Sequence, residues 1–380
     1  MTERYLADHV VLPDSVHSPG WVEVDGRSIS AVGADAPGQT GTYVGAWLLP
    51  GFVDIHCHGG GGAAFTGGQA DAQSAAALHE ASGTTAMLAS LVSAPVDVLV
   101  DQIRGLAGAL GEGGLGAVRG IHLEGPFLAP DYRGAHDPAA LCAPTASAID
   151  RLLEAGDGHI AMVTMAPELP GGDEAIARLT AAGVTVAVGH TAAGYERTAE
   201  ALAAGATVLT HACNAMPAVH HRAPGPLVAA LESPACRLEL ILDGVHLHDA
   251  WARRVLEDAG RRAVLVTDAM AAAGARDGTY DLGGLDVVVA DGVARLADGG
   301  SIAGSTLRMD QAFRRAAATL GQGPVAAAHA AATAPAAAMG WSDELGRVAA
   351  GLAASFVVAG DGFGVERVMR DGTWVRGGPA

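Results

Sequence analysis

The chain contains no lysine, so all 23 of its basic residues are arginine. That absence removes three devices from any mechanism: a Schiff-base lysine, the phosphate-gripping lysine of a P-loop, and a carboxylated lysine bridging two metal ions. Cysteine is scarce too. Cys57, Cys142, Cys213 and Cys236 lie far apart with no Cys-x-x-Cys spacing, so neither a disulfide framework nor a thiolate zinc site is expected, and the thiols read as reduced. No run of 18 or more apolar residues occurs, and the opening MTERYLADHV has none of the zones of a secretory signal. Both features predict a soluble cytoplasmic protein with no membrane partner. Positive charge is short as well: 23 arginines against 41 acidic residues give a formal net charge of -18, the opposite of the footprint that nucleic acid or an anionic membrane selects. An anionic small molecule would have to be held by a local cluster of donors.

What is present is apolar mass, 50% of 380 residues, enough for one large α/β domain with a small satellite. Residues 1–47 read as short strands: Ala7 to Leu12, Trp21 to Val24 and Ser28 to Val32 across an Asp25-Gly26 turn, and Thr42 to Val44. Ala354 to Val358 and Glu366 to Arg376, turning at Asp371-Gly372, have the same character. Neither end has the mass for a core of its own, so 1–47 and 344–380 are expected to pair into one small β-sandwich, with 48–343 inserted between them. The insertion alternates apolar strands with alanine-rich helical stretches such as 70–81, 96–109 and 249–259, the texture of βα units on a parallel sheet. Strands are expected near 51–56, 84–90, 118–124, 159–165, 184–189, 207–211, 238–243 and 263–268. Eight parallel strands in roughly 290 residues predict a closed (β/α)8 barrel of the TIM type.

Polar residues then fall where such a barrel builds its sites. In GFVDIHCHGGGG, His56 and His58 are one residue apart, so on an extended chain both rings leave the same face. Strand three runs into Glu124, strand five into His190, strand six into His211, strand seven into Asp243 and His246, and strand eight into Asp268. All these ends meet on one face of a barrel. Singly, a histidine after a strand reads as a loop or core residue and Asp268 as a helix cap; a convergence of such histidines and carboxylates does not, because each would be a buried polar group without compensation. His9, His17, His79, His159 and His329 have no such placement. His122, on the strand face of Glu124, reads equally as support for a ligand or as core.

Glu124, His190 and His211 are an oxygen and two imidazoles of the kind that hold a catalytic Zn2+ or similar divalent ion, Fe2+, Mn2+ or Co2+ included. Such an ion lowers the pKa of water from 15.7 to about 7. Asp268 would take the proton and return it to a leaving group, which makes metal-assisted hydrolysis of an amide the expected reaction class. His56 and His58 supply ligands for a second ion. Without lysine the bridge between two ions falls to Glu124, Asp268 or a water-derived oxygen, and Glu124 is best placed. One or two ions per chain are expected, the tighter on Glu124, His190 and His211.

PGFVDIHCHGGGG, HLEGPF, GAHDP, GHT, THACNAMP, HRAPG, DGVHL, VTDAM and AGSTLRM, in that order, resemble the amidohydrolase superfamily and, within it, the N-acetylglucosamine-6-phosphate deacetylases. The resemblance implies removal of an acetyl group from an amino-sugar phosphate, with Glu124, His190 and His211 on the metal, Asp268 as acid/base and His246 polarising the acetamido carbonyl. It further implies that His136 meets the sugar, that Asn214 and Ala215 bind the 6-phosphate, and that Arg222 joins them across a homodimer interface. The chain departs from the family at Ala223 in HRAPG, at Ala212-Cys213, and at Ser355, where an Asp is usual. A cyclic-amide hydrolase of the dihydroorotase type would use a carboxylated lysine, which is absent. A deacetylase for the galactosamine epimer stays open, and a non-catalytic barrel scaffold would lack ligands that are all here.

Overall fold

The computed structural model describes residues 2–34 and 40–378. Eight strands form the barrel sheet and follow one another in chain order: β1 (Phe52–Asp54), β2 (Thr84–Val92), β3 (Val118–Glu124), β4 (Ile160–Met165), β5 (Thr185–Val188), β6 (Val208–Leu209), β7 (Arg237–Ile241) and β8 (Ala263–Val266). From β2 to β8 every neighbouring pair is parallel. Parallel strands covered by helices are buried on both faces, which is why β2 and β8 are apolar and inaccessible along nearly their whole length. The barrel closes through a single parallel bridge, Cys57 to Ala269. There the Asp268 N–H donates to His56 O and the His58 N–H to Ala269 O, each at 2.8 Å.

Helices return the chain between strands where the sequence permits a clean start and stop. One example is Ala146–Gly156, whose first turn is capped by Thr145 Oγ1 accepting from the Ala148 N–H at 3.2 Å, and whose end is marked by Asp157 in the left-handed region at φ 43°. Among the described residues no helix is long and apolar enough to cross a membrane.

The terminal segments form a second eight-stranded sheet, as their shared character predicts. Phe356–Ala359 pairs antiparallel with Thr42–Pro50, which runs parallel to Thr2–Val11, with Gly20–Asp25 and Ser28–Ala34 beyond on one side and Val365–Arg370 and Thr373–Arg376 on the other. This sheet curls until the hairpin turns at its two ends meet. A Cβ on Gly372 would stand 1.9 Å from the Gly26 carbonyl oxygen, so only glycine fits, and Arg27 pairs with Asp371 at 2.8 Å. The layers enclose Tyr5, Val10, Val22, Ile29, Leu48, Phe356 and Met369. Two compact units result, Met1–Asp54 with Ala77–Ala86 and Arg308–Ala380, and Ile55–Ala76 with Met87–Leu307.

One element was not expected. After β8 the chain builds three antiparallel strands, Gly278–Leu282, Leu285–Ala290 and Val293–Leu296. Their turns, Gly283-Gly284 and Asp291-Gly292, have positive φ throughout, as two-residue hairpins require. The strands are half exposed and bury only Leu282, Val287, Val289 and Ala294 against Val92, Met270, Ala272 and Ala303.

Candidate active site

All residues of the site belong to the unit Ile55–Ala76 with Met87–Leu307. Glu124, the last residue of β3, is the centre. Its Oε1 lies 3.1 Å from His190 Nε2, 3.1 Å from His211 Nε2 and 3.3 Å from His56 Nε2. Its Oε2 lies 3.2 Å from His58 Nε2 and 3.3 Å from His136 Nε2. Asp268 Oδ1 closes the far side, 3.2 Å from His58 and 3.4 Å from His56. The donors fall into two sets able to hold an ion, His56, His58, Glu124 and Asp268, and Glu124, His190 and His211, with Glu124 common to both. Each set is buried. His190, His211 and Asp268 all adopt left-handed φ, at 47°, 26° and 48°, a conformation that costs roughly 1–3 kcal/mol per residue and is retained where neighbours impose it.

Hydrogen bonds behind the rings decide which nitrogen faces inward. His190 Nδ1 meets the carbonyl oxygen of Tyr132 at 2.9 Å, and His56 Nδ1 meets the Glu239 carboxylate at 3.0 Å. With these oxygens accepting, Nδ1 is the donor in both rings, and Nε2 is the nitrogen that turns inward, carrying a bare lone pair whenever the ring is neutral. Those lone pairs point at one another and at carboxylate oxygens; His190 Nε2 is 2.9 Å from His211 Nε2. Acceptors gathered in this way fit a cation at their common focus.

The field of the cluster is as one-sided as its chemistry. Burial pushes the His56 and His58 imidazoles down, but the carboxylates of Glu124 and Asp268 outweigh it, holding His56 well above its ordinary value and His58 up at about 9. Burial pushes Glu124 and Asp268 up, yet the imidazoles hold Glu124 well below the usual carboxylate range and Asp268 down at about 2. His136 differs. Its Nδ1 accepts the Ser93 N–H at 3.2 Å, and burial pushes it down to about 4, so it is neutral with a proton on Nε2.

Beside the cluster opens a cavity of about 280 Å³, lined by His58, Glu124, His136, His190, His211, Asn214, Ala215, His246 and Asp268 together with Leu282, Ser301 and Ile302. His246, after β7, gives its Nδ1–H to Asp243 Oδ2 at 2.7 Å, while Asp243 Oδ1 accepts the backbone N–H groups of Val245 and His246. Burial works against the charged ring, but Asp243 raises its pKa above the ordinary value. Every expected site residue but one therefore lines this cavity or the adjoining cluster. Arg222 is the exception: it is exposed, on a turn bridged between His220 and Ala223, with its guanidinium 2.7 Å from His221 Nε2.

Two groups escaped the sequence reading. Glu239 is fully buried in β7 and touches both His56 and the His211 backbone; a glutamate between Leu238 and Leu240 in an apolar strand was its only signal. Leu282, Ser301 and Ile302 come from the unexpected hairpins and the turn after them. His122 proves to be supporting structure, bonded to Ser90 Oγ and Thr164 Oγ1 at 2.9 Å and edge-on to His56 at 4.6 Å.

The amidohydrolase family model matches residues 47–375. N-acetylgalactosamine-6-phosphate deacetylase of Escherichia coli O157:H7 is 37% identical over 332 residues, 87% of this chain and 86% of its own length. N-acetylglucosamine-6-phosphate deacetylase of Vibrio furnissii is 34% identical over 332 residues, 87% of this chain and 82% of its own. A solved mutant of N-acetyl-D-glucosamine-6-phosphate deacetylase from Mycobacterium smegmatis, in complex with N-acetyl-D-glucosamine-6-phosphate, superposes with a TM-score of 0.95 at 43% identity, covering 99% of this chain and 100% of that one.

Proposed function

The chain belongs to the amidohydrolase family, and on that premise we propose that it hydrolyses the acetamido group of N-acetyl-D-glucosamine 6-phosphate to D-glucosamine 6-phosphate and acetate, a step of amino-sugar breakdown and recycling. The observation that carries the reading is the pairing of a carboxylate-centred imidazole cluster with an adjoining cavity of about 280 Å³, in a chain whose similar relatives act on this substrate class.

Glu124, His190 and His211 would hold the essential divalent ion, Zn2+ by the balance of imidazole and carboxylate donors, and His56 and His58 a second, weaker one. When bound, such an ion activates water and polarises a carbonyl. Asp268, an unprotonated carboxylate at the cavity wall, accepts the proton of the attacking water and returns it to the departing amine. His246, whose pKa Asp243 raises against burial, donates in its protonated form from Nε2 to the acetamido oxygen, where charge develops. His136 offers its Nε2–H to the sugar, and Asn214 with the Ala215 backbone takes the phosphate end. Arg222, exposed and outside the lining of this chain's cavity, would complete the phosphate site of a second copy in a homodimer; its planar fork suits a phosphate. Division into a barrel over 48–343 and a sandwich of 1–47 with 344–380 belongs to the same proposal.

The N-acetylgalactosamine epimer is the second reading, favoured by the Escherichia coli relative. Acetate release should be followed over both N-acetyl hexosamines, each with and without the 6-phosphate, with Asp268→Asn as the control that keeps its metal but not its turnover. Preference for the phosphorylated glucosamine substrate is expected. No acetate from any of the four would remove the proposal, and a preference for the galactosamine compound would replace it with the second reading.

A further inference from the structure

Glu239 is a carboxylate in the middle of an apolar strand with none of its surface accessible. Removing a charge from water costs several kcal/mol unless partners compensate it. Its only ion-pair partner among the described residues is a histidine, His56. Oε2 receives both of its hydrogen bonds, from His56 Nδ1 at 3.0 Å and from the His211 backbone N–H at 3.2 Å, while Oε1 has no partner among the described residues. An apolar side chain would serve the barrel core better, so the carboxylate answers to the site above it.

Two consequences follow from the placement. With Glu239 Oε2 accepting from Nδ1, Nε2 is the His56 nitrogen turned inward, and in the neutral ring its lone pair faces His58 Nε2 at 3.2 Å and the oxygens of Glu124 and Asp268. A negative charge behind the ring also makes that lone pair more basic, the usual effect of a carboxylate behind a metal-binding imidazole. His58 has no such support; its Nδ1 is buried without a partner among the described residues. The ligand pair at this end of the cluster therefore depends on one residue 183 positions along the chain.

We propose that Glu239 is a positioning residue that makes His56 a ligand and so decides whether a second divalent ion binds at the His56–His58 end of the cluster. The inference rests on the two-ion reading above. Glu239→Gln keeps the shape and removes the charge, and carboxylates in this role are worth about 10- to 100-fold in metal affinity.

Metal-depleted protein is titrated with Zn2+ by calorimetry, and bound zinc is counted by mass spectrometry after equilibrium dialysis. The unaltered chain should take up two ions of unequal affinity. Glu239→Gln should leave the tight ion unchanged and weaken the other by about 10- to 100-fold, and Glu239→Asp, which keeps the charge but shortens the reach, should fall between. In a His56→Asn background, Glu239→Gln should have no further effect on zinc binding. If Glu239→Gln does not fold, Glu239→Asp carries the comparison by itself. Two ions bound equally well by all the Glu239 variants would overturn the role of Glu239 and leave the two-ion reading standing. Equal loss of both ions would overturn it too, because Glu239 would then act through the His211 backbone. A single ion in the unaltered chain would sink the two-ion reading and this inference with it.

Discussion

The Nε2 atoms of His190 and His211 stand 2.9 Å apart, and each is 3.1 Å from the same oxygen, Oε1 of Glu124. His190 spends its Nδ1 proton on the Tyr132 carbonyl, so in its neutral form it brings a second acceptor to an oxygen that is already one. A cation relieves that conflict, and its binding energy becomes folding energy.

Metal removal should therefore cost stability. At a free ion concentration 100 times Kd, binding contributes about 2.7 kcal/mol, which for a chain of 380 residues corresponds to a fall in Tm of roughly 3 °C on chelation. Thermal melts with and without chelator test this directly. Glu124→Gln, which removes the one carboxylate common to both ligand sets, should melt at the same temperature in either buffer; a chelator-sensitive melt in that variant would place the ion elsewhere.

The pH profile isolates the Asp243–His246 pair. His246 has a raised pKa, so its imidazolium, and any stability it contributes, is fully present below about pH 6.5 and is lost as the pH rises through the higher folded value. In Asp243→Asn the supporting charge is gone while burial still opposes protonation. The alkaline limb of kcat/KM should then move to lower pH, and activity at acidic pH should suffer least. An unmoved limb would show that the protonation of His246 does not govern turnover.

Much of this arrangement was legible because it follows two simple periods. A strand that is buried on both faces reads as an apolar run, and the first polar residue after it sits at the barrel mouth, which is how Glu124, His190, His211 and Asp268 declared themselves. Pairing of Phe356–Ala359 with Thr42–Pro50 was legible because neither end of the chain could bury a core alone. Glu239 was not, since its partner His56 lies 183 residues earlier and nothing local marks the contact. The hairpins over 278–296 were missed because alternating strands with exposed faces carry a weaker signal than apolar runs, even with Gly283-Gly284 and Asp291-Gly292 in view. Arg222 differs: under the proposed role in a second copy it would leave no trace in the geometry of its own chain, and its surroundings here are a turn and His221.

Arg222 separates phosphate recognition from structure. It is exposed, contacts His221, and lies outside this chain's cavity lining. A charge-assisted hydrogen bond is worth about 1.5–3 kcal/mol, so Arg222→Ala should lower kcat/KM for the phosphorylated sugar by roughly 10- to 150-fold and leave the unphosphorylated sugar nearly unchanged. Mixing that variant with Asp268→Asn should restore part of the activity if the arginine acts in trans, because some mixed dimers then hold one complete site. Equal losses on both sugars, with no recovery on mixing, would make Arg222 a surface residue of its own turn.

The His56–His58 pair tests how the ligands are divided. Glu124 Oε1 meets His190, His211 and, at 3.3 Å, His56, whereas Oε2 faces His58, so one carboxylate can serve two ions with one oxygen toward each. Two ions in such a centre stand about 3.5–4 Å apart and share a bridging ligand, and with no lysine in the chain Glu124 is the side chain placed for it. An ion on His190 and His211 would have one ligand ring locked from behind by Tyr132; an ion at the other end would depend on His56 with Glu239 and on His58, whose Nδ1 is unsupported among the described residues. The first should bind more tightly and suffice for hydrolysis. A His56→Gln, His58→Asn double variant should therefore retain at most one ion per chain by mass spectrometry and keep measurable acetate release. Loss of all metal and all turnover would mean that the pair belongs to the primary centre, and the roles assigned to the two ends of Glu124 would have to be exchanged.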